Sequence, residues 1–255
     1  MALVTLLTDA GESDHYVAAI KARILAHNVD LRIVDISHQI SHFDLAHAAF
    51  VLRAVFRDFP KGTVHLVGVD SAGSRGDNPI IIKVEDHFFV GMDNGLLSLV
   101  SDQHPQGVWQ ISVDEETTFP EKHIFAPIAA RLASGEDPEK IGTLTTEYKR
   151  LIDRQVKATR KQITGNVVRV DHFGNLITNI PREAFEILSK GKVFTIQFGG
   201  EKFRRIHASY NQAEQGECFI LFNSLGLLEI GINRGNASEL LGLGYDSAVN
   251  IVFDE

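Results

Sequence analysis

A single cysteine, Cys218, stands in a chain of 255 residues. An internal disulfide is thereby excluded, and so is a cysteine-rich zinc site. Within GECFILF the thiol reads as a small apolar residue among apolar neighbours. Basic residues are in deficit too: 25 Lys and Arg against 33 Asp and Glu leave a net charge of -8. Surfaces for nucleic acid or anionic lipid need clustered positive charge, so no nucleic-acid and no membrane partner is expected. No apolar run approaches the roughly 18 residues of a membrane span, and the opening MALVTLLTDAG carries neither a basic stretch nor a cleavage site. A soluble, cytoplasmic protein is the expectation. TDAGESDHY does not have the G-x-G-x-x-G spacing of a phosphate cradle, which disfavours a dinucleotide or ATP site. What is present is 44% apolar residues, enough for one large core or two smaller ones.

The first half of the chain alternates between two periods. LVTLLTD (3–9), DLRIVDI (30–36) and GTVHLVGVD (62–70) read as strands, the last apolar throughout as a strand buried on both faces should be. YVAAIKARILAHN (16–28) places Val17, Ile20, Ile24 and Leu25 at helical spacing. DLAHAAFVLRAVFRDFP (44–60) reads as a helix capped by Asp44 and closed by Pro60, and IFAPIAARLASG (124–135) as one ending at Gly135. NPIIIKV and HFFVG form a hairpin. The expectation is an N-terminal three-layer α/β domain over residues 1–145 with a mostly parallel sheet. Residues 146–164 are charged and read as a linker. From residue 165 to 255 short β runs with turn signals predict a small all-β, barrel-like C-terminal domain.

Asp9 and Asp70 each follow an apolar strand and precede a glycine-containing loop. Ligands of open α/β sheets bind beyond the carboxyl ends of the strands, where an acidic residue commonly takes ribose hydroxyls. The alternative for each is an N-cap or an Asx-turn. His38, His42 and His47, with Asp44, cluster in SHQISHFDLAH, but His42 and His47 lack the spacing of a helical metal pair. Surface and capping histidines are the better account, and no metal is expected. DHFGNLITN (171–179) and FNSLGLLEIGINRGNA (222–237) are dense in Asn, Gly and Ser around single aromatics. Asn175 offers both a donor and an acceptor to a purine edge. Tight turns, with Gly174 and Gly235 supplying positive φ, are the competing explanation.

Seven blocks occur together and in order: TLLTDAGESDHYVAAIKARI, IVDISHQISHFDLAHAAFVL, FPKGTVHLVGVD, VGMDNGLLSLV, IFAPIAARLASG, DHFGNLITNI and NSLGLLEIGINRGNA. With these blocks the chain resembles, over nearly its whole length, the S-adenosyl-L-methionine hydroxide adenosyltransferases, relatives of the fluorinase and chlorinase. The resemblance implies an N-terminal α/β domain, a C-terminal β-barrel and a homotrimer holding its ligand at subunit interfaces. It implies hydrolysis of S-adenosyl-L-methionine to adenosine and L-methionine by displacement at the ribose C5′, with no metal or redox cofactor. Such a displacement depends mostly on positioning and on a desolvated nucleophile.

Carried onto this sequence, Asp9 matches the ribose ligand and Phe43 an aromatic against the substrate. Asp171 matches the acid that holds the methionine ammonium. Asn175 matches an adenine contact, Ser224 a contact to the methionine carboxylate, and the backbone at Asn233 and Arg234 the adenine lining. Asp70 matches the carboxylate of the water-using members. The halogenating members have aromatic or small apolar residues at the equivalents of Asp70 and Gly73, so halide chemistry is disfavoured. Two departures bear on catalysis. Where the family places an arginine after this aspartate the chain has Asp77, and the arginine in the loop is Arg75. Where the family reads Phe-His-Gly-Arg-Asp-Ile-Phe the chain reads FPEKHIF, with Pro120 for the histidine and His123 for the aspartate. Arg75 and His123 are the candidate replacements, against a plain loop residue and a helix cap. Leu225 stands where the halogenases have an arginine, leaving Ser224 and backbone N–H groups for the carboxylate. The alternatives are a catalytically weak or inactive binding protein for the same ligand, and adenosyl transfer to another nucleophile.

Overall fold

A computed structural model describes residues 3–113 and 117–254. The chain divides into two compact units, Met1–Ile152 and Asp153–Glu255. No helix among the described residues is long and apolar enough to cross a membrane.

The N-terminal unit runs β1 (Leu3–Thr8), α1 (Tyr16–His27), β2 (Arg32–Ser37), α2 (Leu45–Val55), β3 (Val64–Gly68), β4 (Pro79–Val84), β5 (His87–Met92), β6 (Gly107–Gln110), α3 (Ala126–Ala133) and β7 (Thr143–Leu144). Its 7-stranded sheet has the order β2-β1-β3-β5-β4-β6-β7. Pairing is parallel across β2-β1-β3-β5 and antiparallel from β5 through β7, so the sheet is mixed where a mostly parallel one was expected. The change of direction is local chemistry. Glu85 and Asp86 take φ of 52° and 66°, the two left-handed residues of a tight hairpin turn, and Val84 pairs with His87 across it.

Alternate strand residues enter different cores, as the period of 2 requires. Leu6, Leu66 and Ile81 pack with Ile20 and Ile24 of α1 and Ala129 of α3. Leu7, Val67, Ile80 and Ile82 pack with Ala48 and Leu52 of α2 and with Phe56. The apolar stripe of α1 is narrower than its spacing implies, since Leu25 is exposed. Asp44 caps α2, accepting the His47 N–H at 2.9 Å. A π-helical turn over Glu121–Phe125 precedes α3 and delays its start past residue 124.

The C-terminal unit contains β8 (Lys157–Ala158), β9 (Gln162–Val170), β10 (Leu176–Pro181), α4 (Arg182–Ser189), β11 (Phe194–Phe198), β12 (Glu201–Phe203), β13 (Cys218–Phe222), β14 (Leu227–Ile232), α5 (Ala237–Leu241) and β15 (Ala248–Phe253). The named strands pair antiparallel, in the order β12-β11-β15-β9-β10-β14-β13 with β8 on β9. Ile163, Val167, Leu176, Ile196, Ile220, Ile230 and Ile251 form its core. The unit is not all-β, because α4 and α5 belong to it. Phe185 of α4 buries its ring against Phe194 and Phe222, which anchors an otherwise charged helix.

Candidate active site

In the N-terminal unit, β1 and β3 are parallel neighbours, so Asp9 and Asp70 emerge side by side at their carboxyl ends. Asp9 Oδ2 accepts the Phe43 N–H at 3.1 Å and lies 3.5 Å from the Asp70 N. The Asp9 N–H donates to Gly68 O at 3.3 Å, tying the two strand ends together. Phe43 and Asp70 both take left-handed backbone, with φ of 61° and 49°. For a bulky residue such as phenylalanine this is a costly conformation, the kind that persists where surrounding structure requires it. Asn94 steadies the β3 end, donating to Val69 O at 3.0 Å and Asp70 O at 3.3 Å.

The Asp70 carboxyl is pushed above the ordinary aspartate value, first by burial and then by Asp9 and Asp77, with Lys149 pulling the other way. Beside it in sequence, Ser71 buries a hydroxyl that has no partner among the described residues. A buried polar atom of that kind marks a place shaped to receive another polar group.

The remaining two catalytic candidates, Arg75 and His123, make no hydrogen bond with Asp9 or Asp70 among the described residues. Arg75 is exposed and pairs with no acid among the described residues. His123 is also exposed; its Nδ1 bonds the Thr117 hydroxyl at 2.6 Å and its N–H donates to Phe119 O at 3.0 Å. The π-helical turn instead turns Glu121 toward the strand end. A Cβ built on Gly68, the last residue of β3, would come 2.8 Å from Glu121 Cγ. Glu121 thus brings a further carboxylate to the end of β3, and the glycine at the end of HLVG was the signal for that close approach.

The histidines of SHQISHFDLAH are less superficial than expected. His38 and His47 are buried. His38 Nδ1 bonds Thr8 Oγ1 at 2.8 Å, while His47 Nδ1 accepts the Ser41 N–H at 3.1 Å. Both brace the segment that delivers Phe43. Their burial follows from the packing of α2 and the β1 end, which local spacing does not report. Among the described residues no cluster of three His, Cys, Asp or Glu is arranged to hold a metal.

In the C-terminal unit, Asp171, at the end of β9, organises its own loop. Its Oδ1 accepts the N–H groups of Phe173 at 2.9 Å and Asn175 at 2.8 Å. Gly174 has a φ of 81°, and a Cβ there would fall 2.1 Å from Asn236 Oδ1, so both conformation and contact require glycine. Gly235 takes no such conformation; its neighbour Arg234 does, with a φ of 58°, correcting the expectation for that turn. Asn233 is held by its side chain, Nδ2 donating to Ala213 O at 2.8 Å. Ser224 and Leu225 are exposed on the tight turn between β13 and β14.

Composition and spacing did not single out Glu229. It is 3% exposed on β14, and its two oxygens accept from Asn175 Nδ2 at 3.1 Å and Asn223 Nδ2 at 3.0 Å. Asp171 Oδ2 lies 3.4 Å from the same Asn175 nitrogen. Flanked by two carboxylates, Asn175 must turn its amide nitrogen toward them, which fixes the direction of its Oδ1. Burial raises the Glu229 carboxyl, with Asp171 adding to the effect and Asn223 opposing it. Tyr210, its ring edge-on to Phe219 at 5.2 Å, has its phenol raised by burial, Glu229 and Asp171. A glutamate in an otherwise apolar strand, LLEIGI, was the available signal for this polar cluster.

Comparison with known proteins decides the lineage. The SAM hydroxide adenosyltransferase N-terminal domain matches residues 4–142, and the corresponding C-terminal domain matches residues 165–250. The chain belongs to the SAM hydroxide adenosyltransferase family. An (R)-S-adenosyl-L-methionine hydrolase of Methanocaldococcus jannaschii is 31% identical over 98% of this chain and 96% of its own. A fluorinase of Nocardia brasiliensis is more distant, at 28% identity over 74% of each chain. Among solved structures, an uncharacterised conserved protein from Thermotoga maritima superposes with a TM-score of 0.89 and 32% identity, covering 98% of this chain and 99% of its own.

Proposed function

We propose that this member of the SAM hydroxide adenosyltransferase family hydrolyses (R)-S-adenosyl-L-methionine to adenosine and L-methionine. The observation that carries the reading is the pair Asp9 and Asp70 at adjacent strand ends, in a chain related over its full length to a hydrolase of that name. A water oxygen bonds to C5′ as the C5′–S bond breaks. Methionine leaves as a neutral thioether, and one proton passes from the attacking water to solvent. Positive charge therefore leaves sulfur and appears on the attacking oxygen. A carboxylate facing that oxygen stabilises the transition state more than the ground state. Asp70 is assigned that place, and its raised pKa makes it a better proton acceptor than an ordinary aspartate. Asp9 is assigned the ribose hydroxyls through Oδ1, since Oδ2 already serves Phe43 and Asp70. Asp9, Asp70 and Glu121 together make the crevice acidic, which suits a sulfonium substrate. No metal or redox cofactor enters this scheme.

The reading extends to a homotrimer with sites at subunit interfaces, built from a three-layer N-terminal domain and a barrel-like C-terminal one. Asp171 takes the methionine ammonium, Ser224 its carboxylate, and Asn175 with the backbone at Asn233 and Arg234 the adenine. Phe43 and Phe173 are 71% and 74% exposed on the candidate loops, which favours their being covered by a ligand or another subunit. Purified protein incubated with (R)-S-adenosyl-L-methionine is expected to release adenosine and methionine in equal amounts by chromatography. No product above a heat-killed control contradicts the reading. A second reading, a binding protein that does not turn its ligand over, draws support from the exposed positions of Arg75 and His123. Calorimetric binding of S-adenosyl-L-methionine without product would favour it.

A further inference from the structure

Asp77 stands where the resemblance places an arginine, and its side chain is 6% exposed. Oδ2 accepts the Ser74 N–H at 2.8 Å, closing a turn within the loop that follows Asp70. Oδ1 accepts from Lys149 Nζ at 2.5 Å. Lys149 lies in the segment expected to be a linker, whose first part, up to Ile152, belongs to the N-terminal unit. The Lys149 N–H donates to Asp93 Oδ1 at 2.9 Å, and the Leu151 N–H to Ser98 Oγ at 2.9 Å. Asp93 in turn donates its own N–H to Asn78 O at 3.0 Å, in the residue that follows Asp77. The loop is packed tightly on this pair. Gly73 has a φ of 61°, and a Cβ there would meet Met92 Cγ at 2.9 Å and Asp77 Cβ at 3.1 Å.

We propose that Lys149, pinned by Asp77, is a positioning residue that latches the loop after β3 and supplies the positive charge facing Asp70. The proposal rests on Asp70 as the carboxylate that faces the attacking water. An acid at the arginine position does not leave the crevice without a cation; it recruits one from a segment 72 residues away in sequence. The groups that act on Asp70 are Asp9 from the β1 end, Asp77 from its own loop and Lys149 from the latched segment. Glu121, from the π-helical turn, lies over Gly68 nearby. Three of these four are acids, so Lys149 is the group that opposes their repulsion. Without it, the Asp70 carboxylate faces unbalanced negative charge and holds its proton to higher pH.

The test reads the carboxyl directly and needs no turnover. Protein labelled with 13C at the aspartate carboxyls is titrated by NMR, with the Asp70 signal identified by its loss in Asp70→Asn. In Lys149→Met the Asp70 midpoint is expected to rise by roughly 0.5–1 pH unit, and in Lys149→Arg to return toward the parent value. The Asp86 signal, paired with Lys61 elsewhere on the unit, reports that the variant is folded. Lys149→Gln provides a second neutral variant if Lys149→Met does not fold. An Asp70 midpoint that does not move in a folded neutral variant overturns the proposal. Once turnover is established, the acid limb of kcat/KM should move with the same variants. A merely structural lysine would lower the rate at every pH and leave that limb in place. Failure of the hydrolase assay alone would instead contradict the reading of the reaction.

Discussion

At the scale of single residues, Asp70 combines three properties that seldom coincide in a structural aspartate. It has left-handed backbone, a carboxyl raised by burial and by neighbouring acids, and a place at a strand end beside a second acid. A carboxyl raised in the folded state favours its protonated form there. It therefore costs stability that accrues as pH rises from the ordinary aspartate value to the raised one and is complete above it. Activity that needs the ionised form disappears as pH falls through the raised value. Asp70→Asn is accordingly expected to lower turnover about a hundredfold or more while leaving thermal stability at pH 7 equal or higher. A melting temperature well below the parent's would show that Asp70 is a structural residue. Asp9 and Asp70 were legible because an acid ending an apolar strand is visible in sequence. Glu121 was only half legible, because Gly68 signals a close approach without naming its partner, and the π-helical turn that begins at Glu121 leaves no mark in sequence periodicity.

At the scale of elements, strands and long helices follow from apolar periodicity, and their pairing brings chemistry together across long separations. β14 shows the point. Glu229 sits opposite Ile177 in the register with β10, from which it reaches Asn175, and its second oxygen fixes the turn after β13 through Asn223. Glu229→Ala removes the acceptor of the Asn223 amide and leaves Asn175 Nδ2 with only the longer 3.4 Å contact to Asp171, which loosens its orientation. Adenosine affinity measured by calorimetry is expected to fall about tenfold, with the far-ultraviolet spectrum unchanged. Unaltered affinity would remove Glu229 from the account. Shorter elements were harder to read. α5 has five residues, too few for a period, though Asn236 caps it through the Glu239 N–H at 3.1 Å and donates to Glu239 Oε1 at 2.9 Å. This is a variant of the capping box in which the Glu239 carboxylate returns to the Asn236 side chain rather than to its backbone N–H, and N-A-S-E was its available signature. Lys149 was visible only as one charge in a charged segment, because its partner Asp77 is set by tertiary packing.

At the scale of the whole molecule, the N-terminal core contains a titratable element unrelated to the crevice. His65 is fully buried, its Nδ1 bonded to Thr5 Oγ1 at 2.7 Å and its Nε2 to His87 Nδ1 at 3.1 Å. Burial, with His87 adding to it, lowers its pKa to about 3. A histidine depressed in the folded state stays neutral there while its unfolded counterpart takes a proton below about pH 6.5. Its contribution is thus complete above that pH and is lost as pH falls toward the folded value. Denaturant titrations between pH 6.5 and 4 should show stability falling by up to about 1.4 kcal/mol per pH unit from this group. His65→Leu should flatten that dependence, and an unchanged slope would mean the histidine is not the source.

If water attacks C5′ of the sulfonium substrate, the 5′ oxygen of adenosine comes from solvent. Running the reaction on (R)-S-adenosyl-L-methionine in water enriched in 18O, with the products analysed by mass spectrometry, reads this out. Adenosine carrying one 18O at its 5′ oxygen, beside unlabelled methionine, is expected. Adenosine without label, or a thioether nucleoside in its place, would contradict attack by water at that carbon.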